Sequence, residues 1–427
     1  MVSRYEPRPY VPGEAQVDVD LQGRLFGLVV VQPERDTSPP AVGEPDWAPL
    51  FQAAGLEPAR FHPMEPEWNP PVAVDHRSAW VGEAPDLPGL PLRLEAASYR
   101  GRPVFLKTIG PWTRTQAAEK AGRSPRERLS ETLNAVLWLL LLGGALLAYR
   151  NVRLGRGDRR GAWRVGAWFF AAHTLVWLGQ ATHAHDVSGE WYIVQRDLGY
   201  NLFLTALLWI GYVAVEPYVR RVWPETLISW SRLLAGRFAD PRVGRDVLVG
   251  VALGGGSALL EWSMGAVRAW RAGEPTPPRW SLVDRFPVGM VDQLVHSVLD
   301  SLLVLFVLVL FVLVLRRRGL AVTLVMVSSS LIFQAQAGPR GDWATLPLTW
   351  LLAVVLVLGL TRFGLVALAT ASFVSRLLLE TPWTLDTQVW YAWETWAAGA
   401  VLVALLAFGF RAVTAGRPVF ATRLLEA

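Results

Sequence analysis

The run LLVLFVLVLFVLVL, residues 302–315, has no polar atom in its side chains and is followed directly by three arginines at 316–318. Twenty residues counted back from Leu315 reach His296. A helix rises 1.5 Å per residue, so about 20 apolar residues cross the ~30 Å hydrocarbon layer of a bilayer. This stretch therefore predicts a transmembrane helix.

The composition extends this prediction to most of the chain. Of 427 residues, 52% are hydrophobic and 18% are charged, below the charged share of about 25% that is usual in soluble domains. Leu/Val/Ala/Trp runs separated by arginine-rich breaks begin near residue 133. We predict a small α+β soluble domain followed by an all-α polytopic membrane bundle of about nine transmembrane helices. The spans are 133–149, 163–181, 198–218, 246–266, 294–315, 319–336, 345–361, 364–380 and 392–410.

The domain boundaries follow the same change in composition. Residues 1–112 form the α+β domain, 113–132 a charged connector and 133–427 the transmembrane helical domain. In the first domain, alternating residues at 17–32 and 92–109 predict two β-hairpins, the second turning at 99–103. A short helix is expected at 46–54, with Asp46 as its N-cap.

Arginine positions predict the orientation of the spans. Nineteen arginines lie in alternate breaks and the tail, against six in the other breaks and four more in the connector. Positive charge favours the cytoplasmic side. We therefore expect an inner (plasma) membrane protein with an extracytoplasmic N-terminal domain and a cytoplasmic C-terminus.

Two classes of chemistry are excluded by residue type. The chain has no cysteine, which removes disulfides and thiolate metal sites. Val104-Phe-Leu-Lys107 is similar to a kinase strand, but no glycine-rich loop precedes it and no H-R-D or D-F-G follows. The net charge of +5 comes mostly from arginines that flank apolar runs, so the expected partner is the lipid bilayer and not nucleic acid. We expect no enzymatic activity, cofactor or metal.

Ionisable residues inside predicted spans mark a candidate intramembrane polar site, because buried ions in a bilayer are usually paired or functional. Glu261 and Arg376 lie within spans and are candidates for an interhelical pair. The alternative partner of Arg376 is Glu380, one helical turn away.

A second polar group of this candidate site occupies one predicted helix face. Asp292, His296 and Asp300 are spaced i, i+4, i+8. A metal or proton-relay site is one interpretation, and a polar helix end is the other.

Three weaker patterns suggest intramembrane chemistry, and each has a simpler explanation. The sequence Gly254-Gly-Gly-Ser257 suggests a serine protease, or small residues that allow close helix packing. Glu216 with Arg221 suggests a metalloprotease, or a glutamate at the end of a span. His183, His185 and Asp186 suggest a metal-binding loop.

Residues 224–238 predict an amphipathic helix on the cytoplasmic surface. Pro224 suits a first helical position. The helix would either dock a partner or act as a passive linker. Its residues are Leu227, Trp230, Arg232, Leu234 and Phe238.

Several segments together resemble the membrane region of large bacterial serine/threonine protein kinases. They are EPYVRRVWPETLISWSRLLAGR at 216–237, DPRVGRDVL at 240–248, RFGL at 362–365 and TLDTQVWY at 384–391. In the N-terminal domain they are AAGLEP at 53–58, YRGRPVF at 99–105 and GPWTR at 110–114.

This resemblance implies a non-catalytic membrane sensor or scaffold module that serves a cytoplasmic kinase or signalling partner. In that family a kinase domain and a first anchor precede the external domain, so the expectation is that this chain begins inside the external domain. That expectation agrees with the absence of an apolar signal segment in residues 1–32. The alternatives are a transporter or channel and, less favoured, an intramembrane hydrolase.

Overall fold

The computed structural model describes residues 12–20, 22–37, 45–84, 89–110, 113, 125–180, 187–272, 286–336 and 343–414. The chain forms two compact units, Met1–Gly122 and Arg123–Ala427. His183, His185 and Asp186 lie outside the described residues, as does most of the predicted connector.

The first unit contains a six-stranded antiparallel sheet with strand order β1-β2-β6-β5-β4-β3. Both predicted hairpins are confirmed, as β1 with β2 and β5 with β6. The second turns at Arg100 and Gly101, both at positive φ, as the tightest hairpin turns require. The strands are β1 Ala15–Val19, β2 Leu25–Val30, β3 His62–Met64, β4 His76–Glu83, β5 Pro91–Tyr99 and β6 Arg102–Ile109.

One helix of this unit packs on the sheet through aromatic side chains. Helix α1, Ala48–Ala53, buries Phe51, whose ring lies edge-on to Phe61 and Trp80. The helix begins later than predicted, and Trp47 is its N-cap. Asp46 lies one residue before the cap and accepts a hydrogen bond from the backbone N–H of Ala48.

The second unit is helical. Its helices are α2 Pro125–Arg153, α3 Arg159–Gln180, α4 Val187–Val222, α5 Ile228–Leu234, α6 Pro241–Ala272, α7 Phe286–Leu315, α8 Arg318–Gln336, α9 Leu346–Phe363, α10 Leu365–Glu380 and α11 Ala392–Thr414. Each predicted span lies within one of these helices or extends one residue beyond it, and several of the helices are longer than the predicted span. In the described part of the chain, five helices are long and apolar enough to cross a membrane: α4, α6, α7, α9 and α11. The protein is therefore a membrane protein, and the count of nine crossings stays a prediction.

Helix α6 approaches its neighbours closely through glycines. A methyl group placed on Gly250 or Gly254 would lie 2.7 or 2.6 Å from a backbone carbonyl oxygen of α10, and one on Gly244 would lie 2.6 Å from that of Gly409 in α11. Gly255 and Gly256 face open space. The packing explanation of the glycine run is thus confirmed for Gly254. This contact sets the positions of Ser257 and Glu261, which follow on the same helix.

Candidate functional site

A pocket of about 420 Å³ lies among helices α6 to α10. Three carboxylates and one guanidinium contribute the charges of its wall, and leucine, valine, isoleucine and phenylalanine side chains form the apolar part. The charged residues are Glu261, Asp300, Arg376 and Glu380. A cavity of this size is within the range of small-molecule sites. Glu261, Asp300 and Arg376, three of the four residues predicted as an intramembrane polar site, therefore share one cavity.

Arg376 forms a short ion pair in the wall of the pocket. Its Nη2 lies 2.6 Å from Oδ2 of Asp300, whereas its Nη1 is 3.9 Å from Oε1 of Glu380. Gln293 Nε2 donates to Oε2 of Glu380 at 3.2 Å. The short ion pair is therefore with Asp300, which neither sequence-based alternative named, because spacing along one helix does not say which helices pack together.

The serine hydroxyl groups in the wall of the pocket differ in whether they have a hydrogen-bond partner. Ser301 on α7 donates to the carbonyl oxygen one turn earlier, at 2.7 Å. Ser257 and Ser375 are 1% and 6% exposed, and their Oγ atoms have no hydrogen-bond partner among the described residues. Buried polar atoms are nearly always hydrogen-bonded. Both serines belong to the residues that line the cavity, but the two oxygen atoms themselves are buried within the protein.

His296 is not part of this cavity. Its Nδ1 lies 3.1 Å from Oδ1 of Asp292, and its side chain is about half exposed. Asp300, one turn further on, pairs with Arg376 instead. Of the three residues predicted to share a helix face, Asp292 and His296 therefore pair with each other and Asp300 pairs with Arg376. Asp292 and Asp300 point in different directions, since positions eight apart differ by about 80° around an α-helix. Within the described residues, no group of three or more potential ligands could hold a metal ion.

The predicted surface helix at 224–238 differs from the structure. A short 3₁₀ turn, Pro224–Leu227, precedes α5, which ends at Leu234. Leu227 and Trp230 are buried in the core of the helical unit. Among the five residues predicted for this helix, Phe238 alone is largely exposed, at 55%, and it lies beyond the end of α5. The apolar face of this segment thus packs against neighbouring helices. Leu227 and Trp230 are therefore not available to contact lipid or a partner protein.

Arg232 is also held by the protein. Its Nη1 donates to both carboxylate oxygens of Asp240, at 2.5 and 2.6 Å. Partial burial alone would raise the pKa of Asp240, but the bonds from Arg232 and from the backbone N–H of Arg242 outweigh it and lower this pKa. The ion pair closes the loop between α5 and α6.

A polar cluster that sequence reasoning missed surrounds Pro217 in α4. Proline has no N–H, so the carbonyl oxygen of Val213 loses its helical donor. Asn151, 1% exposed, donates from Nδ2 to the carbonyl oxygens of Val213 and Ala214, at 3.1 and 3.0 Å. A proline inside a predicted span was the available signal, because its freed carbonyl requires a new donor.

Glu216 joins the same cluster. It is 3% exposed, accepts a hydrogen bond from the backbone N–H of Asp158 at 3.0 Å, and pairs with Arg220. Glu216 and Arg221 were named together in the weak metalloprotease pattern, and in the structure the ion-pair partner of Glu216 is Arg220, one full turn away. Glu216 therefore braces the turn between α3 and the preceding helix.

Comparison with protein-family models, with curated proteins and with solved structures finds no match for this chain.

Proposed function

We propose that this chain is a non-catalytic membrane sensor and scaffold module of the type attached to bacterial serine/threonine kinases. In this proposal the pocket among α6 to α10 receives the signal, and the arginine-rich end of the bundle meets a cytoplasmic kinase or signalling partner. The N-terminal sheet domain lies outside the cytoplasm of an inner (plasma) membrane. The observation that carries the proposal is the pocket among α6 to α10, where charged and serine side chains lie within an otherwise apolar set of helices.

The depth of the pocket favours a sensor. Asp300 lies 15 residues from the end of α7, Glu261 20 residues from the start of α6, and Arg376 11 residues from the start of α10. At 1.5 Å per residue these positions are about 22, 30 and 17 Å from the arginine-rich ends of the helices. The midplane of a ~30 Å hydrocarbon layer is about 15 Å from its edge. The pocket therefore belongs to the half of the bundle away from the arginines.

The braces at the opposite end support the scaffold part of the proposal. Asn151 donates to the carbonyl oxygens of the turn before Pro217, Glu216 pairs with Arg220, and Arg232 pairs with Asp240. A surface held by several such contacts is suited to presenting a defined face to a partner, since less ordering free energy is needed on binding. The resemblance to kinase membrane regions includes this segment.

A transporter is the second candidate. The observation in its favour is the Arg376–Asp300 ion pair between helices, because ionisable residues inside spans commonly mark substrate paths. Secondary transporters bind near the midplane and open to each side in turn. A sensor pocket in the outer half needs access from one side only.

Single-cysteine labelling separates the two candidates, and the absence of native cysteine removes any background. Ser372→Cys places a thiol in the pocket wall. Arg317→Cys and Leu385→Cys, in described loops at the two ends, serve as sidedness controls. Right-side-out and inside-out vesicles are treated with a membrane-impermeant thiol reagent.

The sensor proposal predicts that Ser372→Cys and Leu385→Cys react only in right-side-out vesicles and Arg317→Cys only in inside-out vesicles. Reaction of Ser372→Cys from both sides would refute the sensor and favour alternating access. Reaction of Arg317→Cys from outside would overturn the predicted orientation.

A further inference from the structure

One edge of the sheet in the first unit ends in a strand that is open on its outer side. β1 pairs with β2, and the described residues provide no strand on its other side. Val17 and Val19 in this strand are 54% and 59% exposed. An edge strand of this kind presents a row of N–H and C=O groups with which another strand can pair.

The outward-facing backbone groups of β1 belong to its odd-numbered residues. Glu14 and Asp20, just before and just after the strand, both form backbone hydrogen bonds with the residues that flank β2. In an antiparallel ladder the direction of these groups alternates along the strand. The N–H and C=O groups of residues 15, 17 and 19 therefore face away from β2.

The bulge between β1 and β2 leaves this outer edge regular. The register passes from the pair Asp18 and Gly27 to the pair Val19 and Leu25. The extra residue, Phe26, therefore belongs to β2, and it is the bulged strand that bends. β1 continues without an inserted residue along its whole length.

The opposite edge of the sheet is protected against pairing. β3 has only three residues, and the central one is Pro63, which has no N–H. Short edge strands, proline and lysine are devices that prevent association at the edges of natural sheets. β1 has five residues and contains neither proline nor lysine. Of the two edges, β1 is thus the one suited to pairing.

The sequence of β1 is complementary to a second copy of itself. When two β1 strands are paired antiparallel about a two-fold axis at Val17, Gln16 of each copy lies opposite Asp18 of the other. The amide of Gln16 can donate to that carboxylate, as it does to Asp18 within one chain at 3.2 Å. An axis at Gln16 would place Asp18 opposite Glu14, and an axis at Asp18 would place two Asp18 side chains together. Like charges directly opposite are destabilising, so the register at Val17 is favoured.

We propose that two copies of this chain associate through their β1 strands, so that their sheets join across a two-fold axis at Val17. The two Val17 residues then exchange backbone hydrogen bonds, and their Cα atoms lie about 5.5 Å apart. Five residues bury less than the ~800 Å² per partner of a standard interface. The association is therefore weak and depends on two copies that share one membrane. Because only the first unit takes part, it is independent of the role proposed for the pocket.

Crosslinking of single cysteines tests the association and its register, because the chain has no native cysteine. Full-length Val17→Cys and Val19→Cys are each reconstituted in phosphatidylcholine vesicles and treated with a short thiol-to-thiol crosslinker. In the proposed register the two residues at position 19 lie four positions apart along the paired strands, or roughly 13 Å. Val17→Cys, with Cα atoms about 5.5 Å apart, should therefore form crosslinked dimers about tenfold or more efficiently than Val19→Cys.

Met64→Cys on β3 is the control for the opposite edge. Met64 is 36% exposed, and this variant should give no more crosslinked dimer than Val19→Cys. Equal crosslinking at all three positions would indicate random collisions, and stronger crosslinking at position 19 would indicate another register. Either result, or an absence of crosslinked Val17→Cys, would overturn the proposal.

A lysine at the axis provides an independent measurement. Full-length copies labelled through Leu385→Cys with a donor or an acceptor fluorophore are mixed in the same vesicles. Energy transfer is expected between copies that retain Val17. It should be lost in Val17→Lys, because two positive charges would lie opposite each other at the axis, and it should persist in Met64→Lys. Unchanged protease resistance of the sheet domain verifies that Val17→Lys is folded. Energy transfer that survives Val17→Lys, or none in the parent protein, would refute pairing through β1.

Discussion

Replacing Gly254 by alanine tests how closely α6 and α10 approach one another. The new methyl group would lie 2.6 Å from the carbonyl oxygen of Ala371 and 2.7 Å from Cβ of Val374. Neither atom lies at the end of a flexible side chain, so the helices must separate. Overpacking of this kind costs about 1–3 kcal/mol. We therefore expect Gly254→Ala to destabilise the protein.

Gly256 on the same helix provides the matched control. It faces open space, so an added methyl group meets nothing. Replacing a glycine inside a helix with alanine contributes about 0.5–1 kcal/mol of stability. The same gain applies to Gly254→Ala and therefore cancels when the two variants are compared. Their stabilities should then differ by the cost of the clash, about 1–3 kcal/mol, with Gly256→Ala the more stable.

Both variants are unfolded as full-length protein in the same detergent, and helix content is followed by circular dichroism. A change of 1 kcal/mol moves the midpoint of thermal unfolding by about 2–4 °C for a domain of 150–250 residues. Gly254→Ala should melt below wild type and Gly256→Ala at or above it. A Gly254→Ala variant as stable as Gly256→Ala would refute the close contact between α6 and α10.

Three further outcomes follow from contacts elsewhere in the chain. Asn151→Ala should destabilise the protein by about 1–3 kcal/mol, because the carbonyl oxygen of Val213, which lacks a helical donor at Pro217, loses the Asn151 side chain as well. Wild-type stability of this variant in the same melting assay would contradict that role of Asn151. The lowered pKa of Asp240 means that its stabilising contribution is present above its ordinary value of 3.8 and is lost as the pH falls through the folded-state pKa. Asp240→Asn should therefore lose less stability than the wild type when the pH is lowered below about 4. If the melting temperatures of the two proteins fall equally over that pH range, the bond to Arg232 is contradicted. Phe51→Ala should destabilise the sheet domain by about 3–5 kcal/mol. The variant should be cleaved by a protease within this domain at a lower temperature than the wild type, and equal resistance of the two proteins would show that the aromatic cluster is not the core of the domain.

The local sequence pattern was sufficient to predict the helices of the second unit and the two hairpins of the first. The apolar run at 302–315 predicts a helix by itself, because a segment of that length and composition can satisfy its backbone hydrogen bonds in lipid only by forming a helix. Alternating residues predict the two hairpins for a similarly local reason. The strand at His76–Glu83 was missed, since its surroundings are rich in proline and its pairing is with a later segment.

Which polar residues meet was decided only by the tertiary structure. Arg376 has carboxylates on its own helix and on two neighbouring helices, and only packing selects Asp300 as its close partner. Trp230 fits an amphipathic surface helix by its spacing, yet neighbouring helices bury it. The sequence by itself determined that this is a membrane protein with a small domain before the helices, because burial in lipid depends on length and composition. The pocket depends on contacts between helices that are far apart in the chain, and no local pattern encodes those.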